Sequence, residues 1–440
     1  MFINQCKTVL ILCCMFASVV ASAAPDIQHW VTDRGVRVYF VPANDLPMVD
    51  LRMVFDAGSA RDKKKPGVAL LTNGLLSEGA AGMSAQKLAE QFESVGAHFG
   101  NGVLKDMAWL NLRSLSDEKY FKPALQVLEK ILTRADFPVD AFRRETERLK
   151  ISVKANKQSP GAIAEEAFYK ALYGSHPYAS PTEGTEESLK KIKLADLKTF
   201  YKKFYTTKNA VVSIVGDLSR QQAEEIVNQL TDNLPEGERA KKIPEVKALT
   251  EAKTIRIDFP SAQSHVLVGQ LGTYRGDEDY FTLYVANHPF GGSGFASRLV
   301  DEVREKRGLA YSVYSYFLPM RLPGPFQMGL QTRNDQVDQA LGILNRELKR
   351  YIKEGPSRQE LKDSLTNITG GFPLRVDSNR KLVEYLAMIG FYDLPLNYLA
   401  DFTKNINAVN DKKIRDALVR RIQPDRMVTV IVGGQVDTKG

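Results

Sequence analysis

Two patterns of apolar and polar residues recur along the chain and predict its secondary structure. Runs that alternate apolar and polar residues, as expected for a strand with one buried face, lie at 36–41, 49–55, 108–115 and 265–271. Between them, the segment SAQKLAEQFESVG starts at Ser84, a common helix-capping residue, and spaces its apolar residues three and four apart. This mixture predicts α+β domains, each a mainly antiparallel or mixed sheet with helices packed on one face.

The hydrophobic pattern occurs twice. The apolar run VVSIVG at 211–216 is repeated as VTVIVG at 428–433, which is 217 positions later. Near the other end of each repeat, YFVP at 39–42 is matched by IDFP at 257–260. Apolar helix positions before each closing strand keep nearly the same offset. We therefore predict a tandem duplication of two homologous domains.

The repeat sets the expected domain limits. The first domain spans 27–235 and the second spans 250–440. The stretch between them, 236–249, is polar and has no apolar period, so we interpret it as a linker.

The first 23 residues have the pattern of an export signal. Lys7 precedes an apolar run at 9–20, and the small residues Ala21, Ser22 and Ala23 follow at the spacing of a cleavage site. The run is too short to span a bilayer. All 3 cysteines lie inside this segment, so the mature chain would contain none. We expect an exported protein of a bacterial periplasm, without stable membrane insertion.

Composition and charge narrow the possible functions. The chain has 440 residues, 43% hydrophobic and 25% charged, as in globular proteins. Its formal charge of +8 is distributed over short basic clusters separated by acidic residues. Because no basic stripe alternates with aromatic residues, we do not expect nucleic-acid binding.

Three segments together resemble a known family. They are FDAGSARDKKKPGVALLTNGLLSEG at 55–79, a segment from HPYASPTEG to SIVGD at 176–217, and FGGSGFASRLVDEVREKRGLAYSVYSYF at 290–317. They resemble the insulinase/pitrilysin zinc metallopeptidases, in the branch of short two-domain subunits that includes mitochondrial processing peptidase. The resemblance covers nearly the whole mature chain and implies two similar domains that form a half-shell.

The resemblance also implies where a zinc site would be. In the family, the helix after the first segment carries H-x-x-E-H, in which two histidines bind zinc and the glutamate polarises water. Those positions fall on Leu70, Asn73 and Gly74 here. A leucine and a glycine have no metal-binding atom, and an amide cannot act as a base near neutral pH. We therefore expect a degenerate motif and no metal bound by this chain.

The family's distal glutamate ligand falls near Lys154, whose ammonium would repel zinc. Since the spacing is slightly long, the equivalent could be Ile151, one turn earlier, which also cannot bind a metal. With a larger slip, Glu147 or Glu145 would lie closer to the site. A single carboxylate does not hold zinc.

No other zinc site is expected. The five histidines are too far apart in sequence to form a local metal-binding motif: His29, His98, His176, His265 and His288.

The second domain contains candidates for chemistry. In the family, an arginine and a tyrosine seven residues apart reach the zinc site of the other domain or of a partner chain and contact the peptide carbonyl and the oxyanion. The segment REKRGLAY places Arg304 and Tyr311 at this spacing. By themselves they would be interpreted as a solvated helix end and a packing residue. Within a matching segment the functional interpretation is favoured.

A glycine-rich loop precedes Arg304. The segment FGGSGFASR contains Gly291, Gly292 and Gly294 but lacks the Gly-Lys-Ser/Thr ending of a phosphate-binding loop. We expect it to face the path of a bound peptide.

These observations predict a subunit that is inert alone. It would pair with a homologous chain that has an intact H-x-x-E-H motif and binds zinc, and the pair would hydrolyse peptides. The alternative is a non-enzymatic scaffold, either a homodimer or part of a larger envelope complex, that only binds peptides or partners.

Overall fold

A computed structural model of the chain describes residues 25–434. The expected export signal at 1–23 lies outside these residues. Within the described range, no helix is long and apolar enough to cross a membrane.

The first half contains a six-stranded mixed sheet. Its strands are β1 (Gln28–Val31), β2 (Arg37–Pro42), β3 (Met48–Phe55), β6 (His98–Val103), β7 (Ala108–Leu115) and β8 (Ala210–Gly216), and a separate hairpin is made by β4 (Gly79–Ala80) and β5 (Met83–Ser84). The sheet order is β1-β2-β8-β3-β7-β6, in which only β2 and β8 are parallel neighbours. The three strands predicted here from alternation are confirmed as β2, β3 and β7.

The helices of the first half lie between these strands. They are α1 (Val68–Leu75), α2 (Ala85–Glu93), α3 (Glu118–Thr133), α4 (Val139–Asn156), α5 (Pro160–Tyr173), α6 (Glu186–Lys191), α7 (Leu194–Phe204) and α8 (Arg220–Thr231). The predicted cap of α2 is confirmed, because the Ser84 side chain accepts a hydrogen bond from the backbone N–H of Lys87. On the apolar face of α2, Leu88 and Phe92 are buried.

The second half repeats this arrangement. Its strands are β9 (Lys253–Ile257), β10 (Gln263–Leu271), β11 (Ala310–Phe317), β12 (Pro325–Arg333) and β13 (Val428–Val432). Their order, β11-β12-β10-β13-β9, is that of β6-β7-β3-β8-β2 in the first half, and the single parallel pair, β9 with β13, is the equivalent one. The predicted α+β class and tandem duplication are confirmed.

The helices of the second half follow the same order. They are α9 (Tyr280–Asn287), α10 (Val337–Glu354), α11 (Arg358–Gly371), α12 (Asn379–Phe391), α13 (Phe402–Asn407) and α14 (Asp411–Arg421). Two segments, His288–Gly292 and Val300–Glu305, are wound as π-helix. By position in the repeat, α9 corresponds to α1, α11 to α4 and α12 to α5.

The two halves exchange one helix each. Helix α12 of the second half packs on β3 and β8 of the first, while α5 of the first half packs on β10 and β13 of the second. Each sheet therefore has helices of its own half on one face and a helix of the other half on the opposite face. Strand β8 is buried at all its positions as a result. The predicted linker at 236–249 contains no helix or strand, and the predicted domain limits stay a prediction.

Candidate functional site

Helix α1 is held by its preceding loop and by the core. One carboxylate oxygen of Asp62 accepts from the backbone N–H of Gly67 and the other from that of Ala69, both at 2.7 Å, which satisfies donors at the helix start. Burial raises the pKa of the Asp62 carboxyl to about 7. The predicted core face of α1 is confirmed, because Val68, Leu71 and Leu75 are buried. These contacts give α1 a structural role in the core of the first half.

The three motif positions of α1 have different surroundings. Leu70 is half-buried and packs against the core of the first half. Asn73 is 1% exposed, and its amide donates a 3.1 Å hydrogen bond to the hydroxyl of Tyr205. Gly74 is half-buried, and a Cβ built there would meet no atom within 4 Å. These side chains do not fit zinc, since neither Leu70 nor Gly74 offers a ligand atom and the Asn73 amide already donates within the core.

Helix α1 lies beside the edge strand β6. The Asn101 amide of this strand donates a 2.7 Å hydrogen bond to the carbonyl oxygen of Asn73. The motif helix is therefore tied to a strand whose outer edge has no strand neighbour among residues 25–434.

The candidates for the distal ligand lie on α4, which packs against α1. Lys154 is exposed. The pKa of the nearby Glu186 is lowered mainly by a hydrogen bond with Lys157, and the charge of Lys154 lowers it to a smaller extent. Ile151 is 71% exposed. The two carboxylates left open as alternatives have basic neighbours on the same helix: Glu147 pairs with Lys150, and Glu145 with Arg148.

No group of three His, Cys, Asp or Glu side chains within 25–434 is arranged to hold a metal.

The structure brings Arg304 and Tyr311 into contact. The guanidinium carbon of Arg304 lies 4.9 Å from the centroid of the Tyr311 ring. It also lies 4.9 Å from the centroid of the Phe295 ring. The Tyr311 ring is 83% exposed, and that of Phe295 is 77% exposed. Arg304 is thus a partly exposed guanidinium that contacts two aromatic rings and also pairs with one carboxylate. Its nearest carboxylate is that of its neighbour Glu305, at 3.3 Å.

Local irregularities place these two side chains. Arg304 lies in the π-helical segment Val300–Glu305, close to its end. Tyr311 is the second residue of β11, where the pairing with β12 shifts between Ala310 and Ser312. Such a register shift is a β-bulge, which changes the direction in which a side chain points. The bulge accounts for the high exposure of Tyr311 at a position where regular alternation would pack it against the sheet.

Phe295 is a residue that the sequence analysis did not select. It lies in the short 3-10 turn Gly294–Ala296, inside the glycine-rich loop. The signal was a single large aromatic among small residues directly before the helix that carries Arg304. That signal is weak, because exposed aromatic residues are common in loops.

The three glycines of this loop differ. A Cβ on the buried Gly291 would lie 2.3 Å from Oγ of Ser315, so this glycine allows close approach to β11. Gly292 lines a cavity of about 790 Å³ beside β11. Gly294 is exposed and has φ +62°, a backbone conformation that favours glycine. Glycine is thus favoured at 291 by the close approach to β11 and at 294 by the positive φ.

Fold and site together define a peptidase-like protein with two duplicated α+β halves. Residues 39–186 match the family described as insulinase (peptidase family M16). Residues 191–368 match the family described as peptidase M16 inactive domain. A crystal structure described as peptidase M16 inactive domain from Pseudomonas fluorescens is 41% identical, with a TM-score of 0.91, over 94% of this chain and 100% of that one.

Named relatives agree with these matches. A Helicobacter pylori protein described as non-peptidase homolog YmxG is 26% identical over 399 residues, covering 90% of this chain and 91% of the relative. A Bacillus subtilis protein described as uncharacterized zinc protease YmxG is 24% identical over 400 residues, covering 90% and 95%. The chain therefore belongs to the insulinase family, M16.

Proposed function

We propose that this chain is the zinc-less subunit of a two-chain M16 peptidase. In this proposal it supplies Arg304 and Tyr311 to the zinc site of a homologous partner chain that has an intact H-x-x-E-H motif, and the pair hydrolyses peptide substrates. The observation that carries the proposal is the contact between the Arg304 guanidinium and the 83% exposed Tyr311 ring.

The chemistry of the two side chains supports this role. Hydrolysis of a peptide bond places negative charge on the carbonyl oxygen, and a guanidinium and a phenol are both donors to such an oxygen. The rings of Phe295 and Tyr311 restrict Arg304 before any substrate binds, which lowers the cost of ordering it. Zinc in the partner would activate the attacking water.

Two strand edges support peptide binding. Strands β6 and β11 each end their sheet, and their outer edges have no strand neighbour within the described residues. An extended peptide can add to such an edge through main-chain hydrogen bonds. Strand β6 lies beside α1, and β11 carries Tyr311, so both edges adjoin the positions that the family resemblance selects.

A mixing experiment tests the proposal. The purified chain without its first 23 residues should bind no stoichiometric zinc and cleave no unfolded peptide. Addition of the H-x-x-E-H homologue from the same organism should give proteolysis that a chelator abolishes, above the activity of that homologue alone. No gain in activity on mixing would exclude the two-chain peptidase.

A scaffold without enzymatic function is the second candidate. The exposed rings of Phe295 and Tyr311 favour it too, since large exposed aromatic residues are typical of protein interfaces. In that case the two chains would associate on mixing without any gain in turnover. We propose for either function that the protein acts in a bacterial periplasm after export.

A further inference from the structure

A pair of cavities in the second half is separate from the Arg304–Tyr311 contact. The larger, of about 790 Å³, lies between α9, the end of β11 and α11. The smaller, of about 380 Å³, extends towards α12 and α13. They share four lining residues, Arg275, Tyr280, Tyr284 and Arg375. These four residues, which we call the neck, form the wall common to both cavities.

The two arginines of the neck have no acidic partner. Among residues 25–434, no carboxylate oxygen lies within 4.0 Å of a guanidinium nitrogen of Arg275 or Arg375, in a chain where many other arginines form such pairs. Nε of Arg275 is buried and has no hydrogen-bond partner. An unpaired buried donor is costly, and a ligand oxygen would relieve that cost.

Aromatic rings hold both guanidinium groups without neutralising them. The guanidinium carbon of Arg275 lies 5.9 Å from the Tyr280 ring centroid and 5.8 Å from that of Tyr392, and that of Arg375 lies 5.8 Å from the Tyr284 ring centroid. These contacts fix the positions of two positive charges, and a guanidinium has five N–H donors, more than the Tyr284 and Tyr385 hydroxyls beside Arg375 can accept.

The acidic residues around the cavities have other partners. Glu360 receives two hydrogen bonds from Arg298, and Asp363 receives one from Gln359. Glu384, in the smaller cavity, pairs with Arg52 of the first half. Within residues 25–434 none of these carboxylates pairs with a neck arginine, and Asp363, whose hydrogen bond comes from a neutral amide, adds a negative charge to the wall of the larger cavity.

His288 adds a neutral polar group to the larger cavity. Its ring nitrogens lie 3.0 Å from Oγ of Ser364 and 3.2 Å from Oδ1 of Asn367. Burial lowers the pKa of His288, and the charge of Arg375 lowers it further. Near neutral pH the His288 ring is thus polar and uncharged, and the positive charges that line the larger cavity are those of Arg275 and Arg375.

We propose that the neck is an oxyanion-binding site, in which Arg275 and Arg375 bind a phosphate or carboxylate group of a ligand whose body occupies the larger cavity. Two guanidinium groups are suited to bidentate hydrogen bonding of such groups. The flat tyrosine rings and the volume of the cavity fit a ligand larger than an inorganic ion. The site uses neither Arg304 nor Tyr311, so it does not depend on the peptidase proposal.

Calorimetric titration of the purified chain tests this site. The probes are tripolyphosphate and an acetylated tetraglutamate peptide, with a tetraglutamine peptide and sodium chloride of matched ionic strength as controls. We expect saturable binding of at least one anionic probe with one site per chain, and no binding of the neutral peptide. Tighter binding of tripolyphosphate indicates a phosphorylated ligand, and tighter binding of tetraglutamate indicates an acidic peptide.

Variants locate the binding. Arg375→Gln changes an exposed residue, and we expect it to weaken binding about tenfold or more, with a larger loss in the Arg275→Gln/Arg375→Gln double variant. Arg346→Gln, at an exposed position of α10, is the matched control and should bind as the wild type. If the double variant unfolds, as a thermal melt would show, Arg375→Gln alone decides. Absence of saturable binding, or unchanged affinity in Arg375→Gln, would overturn the proposal.

Discussion

The hydroxyl of Tyr392 donates a 3.0 Å hydrogen bond to Oδ2 of Asp106, and this bond joins the second half of the chain to the first. The same oxygen accepts from the backbone N–H of Arg321 at 2.8 Å, and Oδ1 accepts from the hydroxyl of Tyr178. Asp106 is 4% exposed. One buried carboxylate of the first half therefore binds two segments of the second.

Loss of this hydroxyl should destabilise the whole chain. We expect Tyr392→Phe to lower the free energy of unfolding by about 1–2 kcal/mol, because a buried carboxylate oxygen loses a donor. Urea unfolding followed by circular dichroism measures the change. Tyr274→Phe, at a ring that is 40% exposed, should change the free energy by less than about 0.5 kcal/mol. Equal stability of the two variants would mean that the Tyr392–Asp106 bond contributes nothing net.

The strands and the duplication could be predicted because they depend on local alternation and on a repeated pattern. The helix exchange between the halves could not. Phe168 of α5 is buried against the second sheet, and Leu386 of α12 against the first. An apolar helix face looks the same in sequence whichever sheet it covers, so periodicity identifies the buried side without identifying the neighbour.

The candidate site was predictable only in part, because not all of its residues belong to a pattern that the sequence shows. Arg304 and Tyr311 were selected by family spacing, and the structure places them in contact. Phe295 completes the contact, but its position depends on a loop turn and on the π-helical winding of the next segment. Neither leaves a periodic signal in the sequence, and an exposed aromatic residue alone does not indicate a role.

The stability of the chain should depend on pH through Asp62. Burial raises the pKa of this carboxyl in the folded chain to about 7, from an ordinary value of 3.8. The folded state therefore holds a proton that the unfolded state releases above about pH 4. The contribution of this group to the free energy of unfolding thus falls as pH rises from about 4 to about 7, by up to about 1.4 kcal/mol per pH unit, and is constant above.

The variant Asp62→Asn removes this titration, and its free energy of unfolding should fall less steeply over the same pH range. Urea unfolding at pH 4.5, 5.5, 6.5 and 7.5 measures both slopes. Asp117→Asn changes an exposed helix cap and should keep the slope of the wild type. The same slope in Asp62→Asn and the wild type would assign the pH dependence to other groups.

Substitution by alanine should change the stability of the chain in opposite directions at Gly74 and at Gly291. Gly74 has open space around its Cβ position and lies in α1, so Gly74→Ala should stabilise the chain by about 0.5–1 kcal/mol. The Cβ of Gly291→Ala would lie 2.3 Å from Oγ and 2.7 Å from the backbone nitrogen of Ser315, and should cost about 1–3 kcal/mol. Thermal unfolding compares the pair. Destabilisation by Gly74→Ala would show that the motif position is closed by packing.

Arg304 should affect turnover of the two-chain mixture without affecting its assembly. If the proposed peptidase is correct, Arg304→Ala should lower kcat by about 100-fold, the usual scale for a lost oxyanion donor. Leu374→Ala, at a leucine that is 67% exposed, is the control substitution and should leave kcat unchanged. Size-exclusion chromatography checks that both variants still form the complex. A kcat unchanged by Arg304→Ala would assign this arginine to the surface rather than to the reaction.

Phe295 should act on turnover through Arg304, as a positioning residue. Its ring restricts the guanidinium from one side, and an exposed cation–π contact contributes about 0.5–1 kcal/mol. We therefore expect Phe295→Ala to lower kcat of the mixture about twofold to fivefold with little change in KM, whereas Phe295→Tyr, which keeps a ring, should restore it. In the Arg304→Ala background, Phe295→Ala should have no further effect, because the group that it positions is gone. An equal loss in both backgrounds would show that Phe295 acts independently of Arg304, through the substrate or through the partner interface.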